Sequence, residues 1–142
     1  MSVKQISIFV ENQTGLLSEV TTLLADNGIN LRALSIADTS DFGILRIIVE
    51  DVEKAAQILH DHGNTYTVTN VLAVKMDDKA GGLAAILKVL ADAGIPLEYA
   101  YAFLLQKPGE ACLVIRVPDN AAAEAALKAA GIGIASQEEL FN

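Results

Sequence analysis

The chain is expected to be an α+β protein built from two copies of one β-α-β-β-α-β unit, each an antiparallel sheet with its helices on one face. Two observations lead there. Residues 11–31, ENQTGLLSEVTTLLADNGINL, are echoed sixty-six positions later by residues 77–97, DDKAGGLAAILKVLADAGIPL. Each copy also switches period: apolar residues alternate in short runs, as in half-buried strands, and recur every three or four residues between them, as in amphipathic helices.

The elements follow in order. In ISIFVE, Ile6, Ile8 and Val10 point one way and Ser7 and Phe9 the other, which predicts a strand. Leu16, Leu17, Val20, Leu23 and Leu24 form one helical stripe, and Gly28 after Asn27 is a stop signal. INLRALSIAD is a second strand, SDFG a turn and ILRIIVE a third strand. Val52, Ala55, Ala56 and Leu59 mark a second helix closed by Gly63, and TYTVTN a fourth strand. The second copy repeats this order. Leu72, Val74 and Met76 take the places of Ile6, Ile8 and Val10, and Leu83, Ile86, Leu87 and Leu90 form the helical stripe. IPLEYAYAFLL, the turn KPGE and ACLVIRV follow, then an alanine-rich helix from Asn120 to Ala130 ended by Gly131, and the short strand IGIAS. The turn between the second and third strands is longer by two residues in this copy, so the offset becomes 68 beyond it.

The units are expected to span residues 1–69 and 70–142. Right-handed crossovers place both helices of a unit on one face of its sheet. No Gly/Ser-rich linker separates the copies, so rigid docking is expected. With Ala100 and Ala102 inward, Tyr99, Tyr101, Phe103 and Leu105 would lie on the face the helices leave bare, an apolar patch calling for a cover.

Composition narrows the function. Hydrophobic residues make up 52% of the chain and the mean hydropathy is +0.39, which favours extra burial in a homodimer or other oligomer. No run of ~20 uncharged apolar residues suggests a membrane span. The start, MSVKQISIFVENQ, lacks the basic and apolar blocks of a signal peptide. Cys112 is the sole cysteine and its strand position suggests a buried thiol, so the expected location is the cytoplasm. The net charge of −8 and scattered basic residues argue against nucleic acid as a partner.

The chemistry concentrates where each first strand meets its helix. NQTG, residues 12–15, precedes a helix start, whose first N–H groups lack intrahelical partners and carry partial positive charge. A carboxylate is a natural guest there. Gly15 permits close backbone approach, and Asn12 offers both a donor and an acceptor to a zwitterion. Asn30 opens the next strand, beside that turn if the helix runs back along the sheet. The same residues admit a plainer reading: Thr14 as an N-cap, Asn12 in an Asx turn.

E-N-x-x-G-L-L, an amphipathic helix and then N-G-I-N-L resemble the ACT domain family, and the resemblance covers nearly the whole chain as a tandem pair. The family implies ferredoxin-like βαββαβ modules that bind small molecules, usually amino acids, and regulate enzymes of amino-acid metabolism. In amino-acid-binding members, asparagines matching Asn12 and Asn30 hold the ligand and a neighbouring domain completes the pocket. Serine-binding members carry a histidine where this chain has Val10. The second copy has Asp78 and Pro96 at the asparagine positions, so the copies are expected to differ. The expected ligand contacts are Asn12, Thr14, Gly15, Leu16 and Asn30 in the first copy, and Asp78, Gly81, Gly82 and Leu83 in the second. In the second copy the backbone N–H groups of Gly81 to Leu83 would do the holding, and Gly81-Gly82 would leave open backbone.

No catalytic, metal or cofactor site is expected. His60 and His62 diverge at i and i+2 on a helix, and Asp77 and Asp78 point apart on a strand. The resulting expectation is a non-catalytic regulator holding an amino acid or similar small carboxylate between ACT units. Two alternatives stay open. One is a regulatory subunit that docks on an amino-acid-metabolism enzyme with little ligand binding of its own. The other is a small ferredoxin-like enzyme such as an acylphosphatase, against which neither helix-start turn contains an arginine.

Overall fold

A computed structural model describes residues 1–11, 13–38, 41–105 and 107–141. The chain separates into two compact units, Lys4–Thr69 and the segment from Asn70 onward, the latter joined by Met1–Val3.

The first unit is built from β1 (Val3–Glu11), α1 (Leu16–Asp26), β2 (Ala33–Asp38), β3 (Phe42–Ile48), α2 (Val52–Asp61) and the opening residues of β4 (Thr65–Asp77). Its strands lie in the order β2-β3-β1-β4, with β3 antiparallel to both β1 and β2. The second unit takes the remainder of β4, then α3 (Gly82–Asp92), β5 (Tyr99–Leu104), β6 (Glu110–Arg116), α4 (Asn120–Ala129) and β7 (Ile134–Ala135). Its order is β5-β6-β4-β7, all neighbours antiparallel. Each unit thus sets its second, third, first and fourth strands side by side, the β-α-β-β-α-β arrangement the periodicity predicts.

The cores repeat as well. Ile6, Ile8 and Val10 of β1 pack with Leu45 and Ile47 of β3 beneath Val20 and Leu24 of α1 and Ala55 and Leu59 of α2. In the second unit Leu72 and Val74 of β4 and Leu113 and Ile115 of β6 meet Ile86 and Leu90 of α3 and Ala123 and Leu127 of α4. Each fully buried aliphatic side chain contributes about 1.5–3 kcal/mol of hydrophobic stabilisation. Helix ends repeat too. Gly28 and Gly94 close α1 and α3, and the following N–H, from Ile29 or Ile95, reaches back to Leu24 O or Leu90 O at 2.9 Å in both. Asp51 and Asp119 cap α2 and α4 by accepting from the N–H of Lys54 at 3.0 Å and Ala122 at 3.1 Å.

Three local expectations change. The second strands begin later than their apolar runs, at Ala33 and Tyr99. Ile29 and Ile95 are spent closing a helix, and Pro96 has no N–H to give to a ladder. Leu83 is 47% exposed, so the buried stripe of α3 runs through Gly82, Ile86 and Leu90 instead. Ala100 and Ala102 pair with Ile115 and Leu113 on the helix-facing side of the sheet, yet they are exposed because β5 is an edge strand. Tyr99, Tyr101 and Phe103 do lie on the opposite face, where they are half-buried. Cys112, paired with Phe103, is buried.

Gly82 shows how tightly α3 is seated. A Cβ on this residue would stand 2.2 Å from the backbone oxygen of Asp77 and 3.3 Å from Met76 Cγ. An alanine ordinarily favours a helix over glycine by about 1 kcal/mol. Here the overlap with a fixed carbonyl wins, since overpacking costs about 1–3 kcal/mol. Gly82→Ala is therefore expected to lower the unfolding free energy by ~1–2 kcal/mol in urea melts, net of the helix gain. Gly133→Ala, whose Cβ would press only on the Lys75 side chain, nearest at its Cδ, 3.1 Å away, should cost much less. Equal stability of Gly82→Ala and the parent chain would show that α3 does not press on β4.

Candidate ligand site

The strand-to-helix joints are copies of one another down to their hydrogen bonds. In the first, Gln13 N–H donates to Glu11 O at 2.8 Å, Leu16 N–H to Gln13 O at 3.3 Å and Glu19 N–H to Gly15 O at 2.9 Å. In the second, Lys79 donates to Asp77 at 2.9 Å, Gly82 to Lys79 at 3.1 Å and Ala85 to Gly81 at 3.0 Å. Gly15 and Gly81 precede the helices with φ of 91° and 89°, left-handed values at which a Cβ would meet nothing within 4 Å. Glycine is required by the backbone angle, not by space.

Neither helix start receives a side-chain cap. Thr14 precedes the capping residue and does not cap, because the left-handed glycine takes that place. Among the described residues, the N–H groups of Leu17 and Ser18 in α1, and of Leu83 and Ala84 in α3, have no acceptor. These are the donors that a carboxylate would seek.

Each joint borders a cavity. In the first unit it measures about 310 Å³ and is lined by Val10, Glu11, Gln13, Thr14, Gly15, Leu17 and Gly43. In the second it measures about 400 Å³ and reaches further across the unit. Gly81, Gly82, Ala85 and Ile86 of the joint and α3 line one side, and Lys75, Met76 and Asp77 of β4 another. Lys79, Glu110, Ala111 and the segment Gly131, Ile132 and Gly133 complete it.

Of the residues expected to hold ligand, Thr14 and Gly15 line the first cavity, and Gly81 and Gly82 the second. Asn12 lies outside the described residues. Leu16 is half-buried against the first core. Asn30 is exposed and does not stand beside its unit's joint: the eleven residues of α1, about 16 Å of helix, separate the two. Asp78 and Leu83 are exposed and outside the lining, and Asp78 donates its N–H to Gly109 O at 3.0 Å. Gly82 does not present open backbone. It is buried, and its N–H is taken by Lys79 O.

Sequence reasoning missed Lys75, Lys79, Glu110 and the glycines at 131 and 133. The charges are ordinary strand-end residues, and only the β7 pairing brings the glycines to α3. Lys75 Nζ lies 2.8 Å from Glu139 Oε2, while the looser pairs Lys79–Asp77 and Lys107–Glu110 are both 3.7 Å apart. Hydrogen bonding from Lys75, and then from the Ser136 N–H, holds the Glu139 carboxyl below its usual range, and Glu139 in turn raises Lys75. No group of three or more His, Cys, Asp or Glu side chains is placed to hold a metal among the described residues. No helix among them is long and apolar enough to cross a membrane.

The chain belongs to the ACT family: the model for an ACT domain pair matches residues 1–140. Among solved structures it is similar to protein BT0572 from Bacteroides thetaiotaomicron, with 38% identity and a TM-score of 0.91 over 100% of this chain and 97% of that one. It also resembles the regulatory subunits of aspartate kinase from Thermus thermophilus and Thermus flavus. The first is 18% identical, with a TM-score of 0.66 over 98% of this chain and 93% of that one. The second is 19% identical, with a TM-score of 0.65 over 98% and 92%. At that identity the likeness is one of fold. A search of curated proteins finds no match.

The Lys75–Glu139 pair ties the turn Ser136–Leu140 to β4, and its pH response has a definite sign. A carboxyl held low when folded contributes stability above its unfolded pKa and loses it as pH falls through the lower folded value. Lys75 does the reverse, losing its contribution only above the ordinary lysine range. Both side chains are about half exposed, so the effect is local and small. Amide exchange at Ser136 and Glu139 is expected to speed up, beyond its intrinsic pH dependence, as the pH drops below the ordinary carboxylate range. Glu139→Gln should exchange faster already at neutral pH and lose that extra response. An identical profile in both proteins would show that the ion pair does not hold the turn.

Proposed function

We propose that this ACT pair is a non-catalytic regulatory protein that binds an amino acid, or a similar small molecule bearing a carboxylate and an ammonium. One observation carries the reading: in both units a left-handed glycine starts a helix whose early N–H groups lack acceptors, and that same glycine lines a cavity. Pockets for small molecules run from about 300 Å³ upward. The carboxylate would sit at the helix start, with Thr14, Gly15 and Leu16 contributing in the first unit and Gly81, Gly82 and Leu83 in the second, where Asp78 would face the ammonium. Asn12 would take the ammonium. Both cavities are open to solvent, so another ACT unit would close over the ligand, and Asn30 would reach it only from such a neighbour. A ligand held by two units favours the arrangement it binds better, and couplings of this kind are typically about 1–3 kcal/mol.

A second reading also has an observation behind it. Leu34 and Ile36 on edge strand β2 are 52% and 55% exposed, and Leu104 on edge strand β5 is 66% exposed. Exposed apolar edges suit a protein that docks, as a homodimer or as the subunit of a larger enzyme. The name "regulatory subunit of aspartate kinase" carried by structures of like fold makes an amino-acid kinase a reasonable partner to try first.

A thermal-shift screen against the twenty amino acids is expected to raise the melting temperature with one of them, since a ligand that binds only the folded state stabilises it. Alanine at Asn12 or Asn30 should then weaken that ligand by roughly 1–3 kcal/mol in calorimetry. A flat screen, together with co-purification of a larger enzyme, would replace the sensor reading with the subunit reading.

A further inference from the structure

We propose that the amino-acid site of the second unit differs from its duplicate's: it occupies the cavity running from the start of α3 to the approach to β7, and it takes an amino acid with an apolar side chain. The inference rests on the amino-acid reading above and adds where such a ligand sits and what it looks like. The duplication provides the control. In the first unit Glu19 of α1 reaches across to His62 at the end of α2, with Oε1 3.3 Å from Nε2, and so straps the two helices together beside the joint. The corresponding positions in the second unit are Ala85 and Ala130, which have nothing to strap with. Thr65, just after the α2 stop, corresponds to Gly133. With strap and threonine gone, the second cavity extends to Gly131–Gly133, whereas among the described residues no α2 or β4 residue lines the first.

The lining specifies the guest. Met76, Ile86 and Ile132 supply an apolar floor. Two cations, Lys75 and Lys79, face two anions, Asp77 and Glu110, so the charged rim is balanced. A balanced rim over an apolar floor suits a zwitterion with a hydrocarbon or thioether side chain. It does not suit a dicarboxylate or a dication. Lys75 is tied to Glu139 at 2.8 Å, but Asp77 and Glu110 hold their lysines only at 3.7 Å and are the carboxylates free to turn toward an ammonium. The cavity opens at Gly81, Gly82 and Lys79, so the ligand carboxylate would reach out at this rim to the Leu83 and Ala84 N–H groups that follow.

The test rebuilds the strap. Ala85→Glu with Ala130→His puts the first unit's bridge into the second at two exposed positions, and Ala85→Phe fills the same space without a charge. Glu19→Ala, which removes the strap from the first unit, is the control. Leucine, methionine and phenylalanine, with glutamate and lysine for comparison, are titrated calorimetrically into each protein. We expect at least one of the apolar three to bind the parent chain and the Glu19→Ala protein alike. Its affinity should fall about tenfold or more, over 1.4 kcal/mol, in both Ala85 variants. Undiminished binding in those variants, or preference for glutamate or lysine, overturns the site while leaving the amino-acid reading intact. Failure of all five here, with a flat thermal-shift screen against the twenty amino acids, overturns both.

Discussion

The fold and its site depend on one backbone requirement, the left-handed residue between the first strand and first helix of each unit. A chain leaving β1 or β4 must reverse within about four residues to lay a helix back over its own sheet. A residue at φ near 90° does this, and an L side chain at that angle costs about 1–2 kcal/mol. Gly15 and Gly81 meet the requirement with open space around them. Once the reversal is made, the stripes of α1 and α3 fall on Ile8 and Val74, and the helix N-termini are left uncapped beside the strand ends. Packing and binding potential therefore arise from the same turn.

Duplication lets the two sites diverge without disturbing that frame. Among the described residues the two joints share three backbone hydrogen bonds, and they differ in what surrounds them. Leu16 packs on the first core, whereas Gly82 lets α3 approach the Asp77 carbonyl more closely than any side chain allows. Glu19 and His62 bridge α1 and the end of α2 in the first unit, where the second has two alanines.

Much of the fold was legible because its signals are periodic and doubled. Ile6, Ile8 and Val10 alternate, Val20 and Leu24 recur at helical spacing, and the second copy repeats both, so a chance match in one copy would be exposed by the other. Within the α3 stripe only Leu83 falls off the buried face, because Gly82 gives no hydrophobic signal while Leu83 gives a strong one, although the buried face passes through the glycine. The site was less legible for two reasons. Asn30 belongs to the motif, but the length of α1 carries it to the far end of its unit, a consequence of helical rise that residue identity does not reveal. The second cavity is bordered by Ala85, Gly131 and Gly133, residues with little or no side chain, and pattern reading registers what is present. The capping aspartates Asp51 and Asp119 could have been found, since each directly precedes its helix.

The most direct test of the frame is the unfolding free energy of a short series at one joint, Gly81→Ala, Gly81→Asn and Gly81→Val, each measured by urea denaturation. A Cβ at this position meets nothing within 4 Å, so any loss reports the backbone angle alone. The account predicts a loss of about 1–2 kcal/mol for alanine, less for asparagine, which tolerates the left-handed region, and more for the β-branched valine. Alanine equal to or more stable than glycine, as unfolded-state entropy alone would give, would contradict it and detach the site from the turn.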